Sequence, residues 1–585
     1  MFAQNTQYPL TPFELNNQKS ATYEEIITYY QGLAKQSRFV TMREIGNFSK
    51  KKNSTVLRTD IGKPLHLVLI SNDKSIEISR QKGKAILFIN NGIHPGEPEG
   101  IDASMMLARE ILEQQEKDLS LQKKQGKKGT NTLLDKVTIA ILPVYNVDGC
   151  LNRGSFSRAN QNGPEEYGFR GNAQNLDLNR DFVKCDSRNA LLFNEVFTYL
   201  KPHIFVDTHT SNGADYPYTM TLIPTQKDKL PAVLAEHLTQ KLLPYLYEEM
   251  AKRSWEMCPY VNADETPDGG IYGFLDLPRY STGYAALHNA IGFMPETHML
   301  KPFVDRVKST YQFLDVVLQY VQANQEVLVE VKKQADAQTQ MQAHFPIRWE
   351  LEAQKTDSLL FKGYEAKYKP SLVSGLPRLY YDTSAPYEKN IAYWNTYKSS
   401  LTVSKPIAYI IPQAYDKVIR LLEKNGVEME RLTEDKVFSV EMYRVEQYET
   451  SPKPYEGHYL HSKVKVKIEN HTKRFYQGDY VVKMNQTANR YLVETLEPQA
   501  HDSFFAWNFF DAILQQKEHF SAYIFEDLAA NLLAKDSNLA NRLADEKAKN
   551  PELAKSAEAQ LEWVYKNSPY YEPTHNLYPI ARLMK

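Results

Sequence analysis

The sequence predicts a layered α/β domain over residues 21–340, followed by a second, α+β domain over residues 345–585. In the first part, apolar runs of strand length alternate with helical patterns, which is typical of an α/β domain. In the second part, strand-like runs dominate over 345–485 and helical patterns return over 486–570. A chain of 585 residues is also too long for one hydrophobic core, so more than one domain is expected.

The first domain contains short apolar runs that predict buried strands, namely Pro64–Ser71, Ala85–Ile89, Val137–Val144, Ile204–Asp207 and Ala290–Pro295. Apolar residues at helical spacing predict the helices Thr22–Ser37, Gly100 to about Gln115, Asp186–Leu200, Leu234–Met250 and Lys301 to about Ala337. Residues 1–20 are polar and contain two prolines, which predicts an extended N-terminal arm.

Composition and charge exclude several classes of protein. The hydrophobic content of 42% and the charged content of 24% are ordinary for a soluble globular chain. A net charge of -1 gives no field that favours nucleic acid or an anionic membrane, so no nucleic-acid partner is expected. No apolar run approaches the roughly 20 residues of a membrane span. Three cysteines are too few, and odd in number, for a disulfide framework or a thiolate metal site.

One short stretch, Asn90–Gly100, combines metal-binding side chains with a rigid turn. It reads NNGIHPGEPEG and lies between the buried strand Ala85–Ile89 and a predicted helix. His94 and Glu97 therefore lie at the carboxyl end of a strand, where α/β folds expose reactive groups. An imidazole and a carboxylate three residues apart on a turn can bind one metal ion together, although HxxE alone is a weak signal.

A catalytic zinc site needs a third protein ligand and leaves one position open for water. His209 fits this requirement, because it follows the apolar run Ile204–Asp207 and is followed by a turn. His203, His288 and His298 compete on the same grounds, and a lone histidine after a strand is more often a hydrogen-bonded structural residue than a ligand.

Two further pieces carry polar chemistry. Asn179 and Arg180 are adjacent at the end of a long irregular segment, Asn146–Leu178, and an arginine is suited to bidentate capture of a carboxylate. Glu296 follows an apolar strand, where partial desolvation would raise its pKa toward that of a useful general base. Without context, a surface ion pair is the preferred explanation for Asn179 and Arg180, and a strand-end carboxylate that faces solvent, as Glu296 could, is common.

The order of these pieces closely resembles the zinc carboxypeptidase family of the pancreatic carboxypeptidase A type. The family shows HxxE, an Asn-Arg pair, a zinc-binding His and a catalytic Glu in that chain order, and this chain has HPGE, DLNR, His209 and Glu296. Asn146-Val147-Asp148-Gly149 is similar to the family's NPDG segment, with Val in place of Pro. The resemblance covers residues 20 to 335 and implies a three-layer fold with a mixed central sheet. It makes residues 345–585 a C-terminal accessory region of a bacterial-type member.

The resemblance implies roles for single residues. His94, Glu97 and His209 would bind one zinc ion, and Glu296 would take a proton from the zinc-bound water and pass it to the leaving nitrogen.

Asn179 and Arg180 would hold the terminal carboxylate of the substrate. An upstream arginine stabilises the oxyanion in the family. Arg158 is the first choice because its segment resembles the Arg-Lys-Asn of bacterial members, Arg170 is the competitor, and Arg153 is less favoured.

The family also places a mobile tyrosine over the substrate, roughly 20 residues before the catalytic glutamate. Tyr272, Tyr280 and Tyr284 all lie in that part of the chain, and the sequence does not choose between them. The residue that sets side-chain preference in the digestive enzymes cannot be aligned.

The leading expectation is a zinc-dependent metallocarboxypeptidase that hydrolyses the C-terminal amide bond of a peptide with a free carboxylate. The first alternative is an N-acyl amino acid deacylase resembling the aspartoacylase and succinylglutamate desuccinylase branch, although that branch has HGNE where this chain has Pro95 and Gly96. A cell-wall peptide amidase and a non-catalytic binding protein are further alternatives. The accessory region could cap the cleft, bind an extended substrate or form a homo-oligomer. Phe2-Ala3-Gln4 resembles the end of a cleaved signal, which would place the protein in the periplasm or outside the cell.

Overall fold

The structure is a computed structural model that describes residues 7–46, 57–73, 75–125 and 132–584. Phe2-Ala3-Gln4, on which the expected location rests, lies outside the described residues, so that location stays a prediction. The α/β class and the mixed central sheet are confirmed by the arrangement of the strands.

Ten strands belong to the first 340 residues. They are β1 (Val40–Glu44), β2 (His66–Ile70), β3 (Ala85–Asn90), β4 (Val137–Leu142), β5 (Ile204–Asp207), β6 (His209–Ser211), β7 (Met220–Pro224), β8 (Met257–Pro259), β9 (Ile271–Tyr272) and β10 (Ile291–His298). All except β9 form one sheet in the order β1-β2-β4-β3-β5-β10-β7-β8, with β6 also paired to β10. The central strands β4, β3, β5 and β10 are parallel, whereas β2 and β7 pair antiparallel with β4 and β10. Every residue of β3, β4 and β5 is buried, as expected for parallel strands covered on both faces.

Twelve helices accompany these strands. They are α1 (Pro12–Leu15), α2 (Tyr23–Gln36), α3 (Ile76–Gln81), α4 (Glu99–Lys124), α5 (Leu133–Lys136), α6 (Val147–Leu151), α7 (Arg188–Leu200), α8 (Ala232–His237), α9 (Leu243–Lys252), α10 (Ser281–Leu287), α11 (Phe303–Ala323) and α12 (Gln325–Met341). A π-helical turn, Leu238–Leu242, joins α8 to α9.

Three predicted helices differ from the observed ones. The helix predicted over Leu234–Met250 is α8 and α9, joined by the π-helical turn. α4 runs nine residues beyond the predicted end at Gln115, because the residues that follow are mostly Lys, Leu, Gln and Glu, which favour a helix even on a solvated face. The single helix predicted from Lys301 is instead two helices, α11 and α12, that meet at Asn324 in a non-helical conformation.

The described part of the N-terminal segment is not extended. Pro12–Leu15 forms one helical turn with a capping box, and the side chains of Tyr8 and Phe13 are buried. Glu14 accepts two hydrogen bonds from the guanidinium of Arg109 in α4, at 2.6 and 2.7 Å. The prediction of an extended arm is therefore wrong here, since Tyr8 and Phe13, which flank the two prolines, pack into the core.

The C-terminal region contains ten strands and six helices. The strands are β11 (His344–Leu351), β12 (Asp357–Pro370), β13 (Pro377–Trp394), β14 (Tyr397–Ser404), β15 (Ala408–Ile411), β16 (Glu430–Arg431), β17 (Lys436–Thr450), β18 (His461–Phe475), β19 (Tyr480–Lys483) and β20 (Ala581–Leu583). The helices are α13 (Asp416–Lys424), α14 (Asn489–Leu496), α15 (Ala522–Lys535), α16 (Ser537–Lys549), α17 (Pro551–Lys555) and α18 (Ala557–Lys566). Six of the strands form a sheet in the order β16-β19-β15-β20-β17-β18. The chain thus returns to this sheet through β20 after the helices, which sequence patterns did not indicate.

The two regions are joined by a continuous core. β9 of the first region pairs with β13 of the second, and the Tyr284 hydroxyl donates to Asn425 Oδ1 at 2.5 Å. The ring of His288 stacks on that of Tyr491 at 5.7 Å, and one cluster of buried apolar side chains runs through both regions. The C-terminal region is therefore packed against the first region rather than tethered to it, and the domain boundary near residue 340 stays a prediction.

Candidate active site

The carboxyl ends of β3, β5 and β10 meet at one edge of the central sheet. His94 and Glu97 follow β3 directly, and His209 begins β6 two residues after the end of β5. Glu296 lies within β10, beside His209 in the register of β6, and not beyond the strand end as predicted. β10 continues past it because β6 and β7 pair with both of its edges.

Three buried side chains converge as a group that could hold a metal ion. Ligand atoms of His94, Glu97 and His209 all lie within 4.8 Å of one another. His94 Nδ1 is 3.3 Å from one carboxylate oxygen of Glu97, and His209 Nδ1 is 3.2 Å from the other. Within the described part of the chain, His94 Nδ1 has no hydrogen-bond partner, which fits an atom reserved for a metal. Two imidazole nitrogens and one carboxylate are a donor set that suits catalytic zinc.

A carboxylate lies behind each histidine of this group. His94 Nε2 is 2.8 Å from Asp177 Oδ1, and His209 Nε2 is 2.8 Å from Asp207 Oδ2. Such contacts fix the ring orientation and leave each Nδ1 free to bind a metal. Burial alone would raise the pKa of Asp177, but His94 and Arg170 hold that pKa below its usual range. Burial alone would lower the pKa of His209, but Asp207 raises it well above its usual value.

Sequence reasoning missed Asp177 and Asp207. Their only signal is local: each precedes a recognised site residue by two positions, Asp177 before Asn179 and Asp207 before His209.

The two candidate oxyanion arginines both reach the metal-binding group. Arg158 Nη1 is 3.0 Å from Glu97 Oε1, while Arg170 Nη1 is 3.5 Å from the same oxygen. Arg170 also binds Asp177 through Nε and Nη2, at 3.0 and 2.9 Å. Burial alone would raise the pKa of Glu97, but His94 and Arg158 hold it well below its usual range. Arg153 instead donates to main-chain oxygens outside the site.

Gly96 is the glycine of HPGE, and its small size makes room for Arg158. A Cβ atom at this position would lie 2.7 Å from Arg158 Cδ and 3.0 Å from the Gly168 carbonyl oxygen. Any side chain here would displace the arginine from Glu97. The Pro-Gly variant of the motif is thus tied to the position of Arg158.

Glu296 is the buried acid of the site. The residue is only 8% exposed, and its Oε2 atom has no hydrogen-bond partner among the described residues. Burial raises the pKa of Glu296 to about 8, with the charge of Glu97 adding to the effect and His209 opposing it. A carboxylate with an unused oxygen and a pKa near neutrality can both accept and return a proton.

Asn179 and Arg180 are next to the metal-binding group on a 3₁₀ turn, Leu178–Arg180. Asn179 Oδ1 accepts the Ser281 amide at 3.1 Å, so the neutral Nδ2 group is the part of this side chain that can donate to a ligand. The guanidinium of Arg180 lies over the ring of Tyr280, with its Cζ 4.6 Å from the ring centroid.

One of the three candidate tyrosines belongs to the site. Tyr280 lines the cavity, whereas Tyr272 donates to Asp264 Oδ2 at 2.9 Å and stacks on Trp394 outside it. Tyr284 is buried in the core. Tyr260 also lines the cavity and was not anticipated.

The three competing histidines are structural. His203 Nδ1 accepts a main-chain amide of β3 at 3.0 Å, and His288 is 3.2 Å from Asn425 Oδ1. His298 Nδ1 accepts the Leu300 amide at 3.2 Å. Burial lowers the pKa of His203 and His288 to about 3 and that of His298 to about 4, which keeps these rings neutral.

A cavity of about 540 Å³ unites the predicted residues. All seven line it, namely His94, Glu97, Arg158, Asn179, Arg180, His209 and Glu296. Apolar groups form part of its wall, with Ile223, Phe274 and Met294 among them. Glu97 and Glu296 are the only acidic residues in the described lining.

Comparison with known proteins agrees with this geometry. Residues 27–250 match the family model described as zinc carboxypeptidase. The chain contains a zinc carboxypeptidase domain. By this match the chain is a hydrolase of the metallocarboxypeptidase class, and the matched family implies zinc as the metal and peptides as substrates.

The curated relatives of this chain include proteins of Trichophyton rubrum and Arthroderma benhamiae. It is 24% identical over 461 residues to "Carboxypeptidase 2" of Trichophyton rubrum, which covers 75% of this chain and 76% of the relative. It is 24% identical over 459 residues to "Probable carboxypeptidase 2" of Arthroderma benhamiae, which covers 75% of this chain and 78% of the relative. Matches of this length extend into the C-terminal region, since residues 1–340 alone are too few to contain them.

Solved structures that resemble the chain do so with low TM-scores and low sequence identity. A metallo-carboxypeptidase from Burkholderia cenocepacia has a TM-score of 0.36 and 17% identity, covering 52% of this chain and 70% of that one. Carboxypeptidase A from Helicoverpa armigera has a TM-score of 0.37 and 15% identity, covering 54% of this chain and 77% of that one.

Among the described helices, none combines the length and the apolar content that a membrane span requires.

Proposed function

We propose that the protein removes the C-terminal residue of a peptide, with one zinc ion held by His94, Glu97 and His209 and with Glu296 as the general base. One observation carries the proposal: a single cavity contains the three converging ligands, a buried carboxylate with an unused oxygen and an Asn-Arg pair. These are the parts that hydrolysis of a C-terminal amide requires.

The chemistry of the ligands fits zinc. Both histidines present Nδ1 toward Glu97, and an aspartate behind each ring matches the usual environment of zinc-binding histidines. When bound, a zinc ion supplies a water of lowered pKa and polarises the scissile carbonyl.

Glu296 would accept a proton from the attacking water and deliver it to the leaving nitrogen. Its pKa, raised to about 8 by burial, lies near the working range of a group that must perform both transfers. Its position beside His209 in the sheet register holds it next to the metal ligands without a flexible linker.

Asn179 and Arg180 would bind the terminal carboxylate. Arg180 supplies a charged planar donor, and Asn179 supplies a neutral one, in the same cavity as the ligands. Tyr280, beneath the guanidinium of Arg180, would cover the bound C-terminal residue.

Arg158 is the better candidate for stabilising the oxyanion. Among the carboxylates of the site, Arg158 contacts only Glu97. Arg170 instead uses two of its nitrogens, Nε and Nη2, to bind Asp177. Arg170 is therefore better suited to fixing Asp177 in place than to following charge on a substrate.

The cavity favours an apolar C-terminal side chain. Ile223, Phe274 and Met294 contribute apolar surface, and no carboxylate other than Glu97 and Glu296 is present in the described lining to pair with a basic side chain. We therefore expect peptides that end in Phe, Leu or Met to be cleaved faster than those that end in Lys or Arg.

A substrate comparison tests the proposal. The zinc-loaded protein is incubated with peptides that share a sequence but end in a free carboxylate or in an amide, and with N-acyl amino acids and cell-wall peptides. Loss of single residues from the free-acid peptide only is the expected result. Activity confined to N-acyl amino acids would instead identify a deacylase, and cleavage of the amidated peptide would show that the carboxylate clamp is not used.

A further inference from the structure

The loop between β17 and β18, residues 451–460, brings the C-terminal region to the metal site. Its residue Glu456 accepts a hydrogen bond from the main-chain amide of Asp177, with Oε2 at 2.8 Å. Asp177 in turn contacts His94 Nε2 at 2.8 Å. A side chain 279 positions further along the chain thus lies two contacts from a proposed zinc ligand.

The loop is fixed by contacts on both sides of Glu456. Tyr455 and His458 form a β-bridge, with main-chain hydrogen bonds of 2.7 and 3.0 Å. His458 Nε2 is 2.7 Å from Asp186 Oδ2, and Tyr455 stacks on Trp507 at 6.2 Å. Glu456 is therefore held between two anchored residues.

The backbone at Glu456 adopts a conformation that non-glycine residues rarely use. Its φ is +49°, in the left-handed region, and Gly457 follows with a φ of +81°. Such a conformation persists where the surroundings over-determine it, and it is common at functional sites. Here it accompanies a glutamate that reaches out of its own loop to another segment.

Trp507 also connects the C-terminal region to the segment beneath Asn179 and Arg180, the pair proposed to bind the substrate carboxylate. The guanidinium of Arg279 lies 4.9 Å from the Trp507 ring centroid and contacts Asp502 Oδ1 at 2.7 Å. Arg279 precedes Tyr280, whose ring lies under Arg180. The C-terminal region therefore contacts both the segment behind His94 and the segment that supports Arg180.

We infer that Glu456 is a positioning residue of the active site: it fixes the main chain at Asp177 and thereby the orientation of His94. The side-chain oxygen of Glu456 that accepts this amide at 2.8 Å holds the main chain of Asp177 in place. The inference rests on the proposed function only in taking His94 as a metal ligand. It assigns residues 345–585 a part in building the zinc site, beyond covering the catalytic region.

Zinc affinity tests the inference in the full-length chain. The metal is removed with a chelator, and zinc rebinding is measured by competition with a chelator of known affinity. Loss of a group behind a metal-binding histidine typically weakens binding 10- to 100-fold, and Glu456 acts one contact further away. We therefore expect Glu456→Ala to weaken zinc binding by about 3- to 10-fold.

Three variants control the measurement. Glu456→Gln keeps an oxygen acceptor for the Asp177 amide and is expected to bind zinc within about twofold of the wild type. Glu456→Asp keeps the charge but shortens the reach by one methylene, so it should lose affinity as the alanine variant does, and it replaces that variant should it fold poorly. Glu430→Ala removes an exposed glutamate paired with Lys483 in the same region and should change nothing.

A double-variant cycle tests the route of the effect. In an Asp177→Ala background, where His94 has already lost this partner, adding Glu456→Ala should weaken zinc binding by less than about 1.5-fold. Independent, multiplying losses would overturn the inference. So would wild-type affinity in Glu456→Ala, or equal losses in Glu456→Gln and Glu456→Ala.

These outcomes are separable from those of the proposed function. A wild-type chain that binds zinc but hydrolyses no C-terminal residue would overturn the proposed function alone, because the affinity cycle needs no substrate. A wild-type chain that binds no zinc would overturn both.

Discussion

The carboxylate behind His94 offers a quantitative test of how the site is built. Asp177 accepts contacts from His94 Nε2 at 2.8 Å, from Arg170 at 2.9 and 3.0 Å, and from the Asn179 amide at 2.9 Å. Asp177→Asn keeps the shape of the side chain but removes its charge. The amide NH2 group of the asparagine would lie opposite hydrogen-bond donors instead of acceptors. His94 would then lose the partner that orients its ring and strengthens Nδ1 as a ligand.

The size of the effect follows from the position of Asp177. Groups that hydrogen-bond a metal-binding histidine typically contribute 10- to 100-fold in metal affinity, or about 1.4 to 2.8 kcal/mol. Asp177 is nearly buried and holds two arginine contacts as well, so we expect a loss near the upper end for Asp177→Asn.

This loss of affinity is measured by letting the metal-free protein compete for zinc with a chelator of known affinity. Asp315→Asn is the matched control, since Asp315 also binds an arginine, Arg253, at 2.6 Å but lies far from the site in α11. Zinc binding by Asp177→Asn within twofold of the wild type, with equal melting temperatures for the two variants, would contradict this role of Asp177.

Three further predictions follow from the site and the core. Arg180→Lys should raise KM for free-acid peptides about 10- to 100-fold with zinc content unchanged, since an ammonium cannot replace the planar guanidinium over Tyr280; steady-state kinetics with metal analysis decide this. Arg158→Met should lower kcat about 100-fold, whereas Arg170→Met should mainly weaken zinc binding through Asp177; the reverse pattern would exchange their roles. His288, whose pKa burial lowers to about 3, stays neutral in the folded state while the unfolded residue takes up a proton below its ordinary pKa of 6.5. Its contribution to stability is therefore complete above pH 6.5 and declines as the pH falls toward 3, so His288→Phe should reduce the loss of unfolding free energy between pH 7 and pH 5 by about 2 kcal/mol. Urea unfolding at both pH values measures this change, and an unchanged loss would contradict it.

Sequence patterns indicated the candidate site because parallel strands end at one edge of a sheet. His94, His209 and Glu296 each belong to a buried apolar strand or follow one, so local patterns were enough to place them together. The order of motifs, through its resemblance to the family pattern, then favoured His209 over the competing histidines. The structure explains the difference physically, since each competitor already has a hydrogen-bond partner in the core.

The contacts that sequence patterns did not give are mostly long-range. No periodicity links Glu456 to Asp177, or Asn425 to Tyr284, because these pairs meet only through the packing of the two regions. Which of the three candidate tyrosines lines the cavity likewise depends on a long-range contact. Tyr272 lies outside the cavity because its strand, β9, pairs with β13. Local patterns also failed at the N-terminal segment, where a capped turn and buried aromatic residues replace an extended arm.

The most direct test of the proposed mechanism is the zinc content and turnover of Glu296→Gln. Glutamine preserves the size of the side chain but cannot accept the proton, and Glu296 is not one of the three converging ligands. We predict one zinc ion per chain, as in the wild type, with kcat lowered about 10²- to 10⁴-fold on a peptide with a free C-terminal carboxylate. A variant that holds zinc and keeps kcat within a few-fold of the wild type would contradict the assignment of Glu296 as the base.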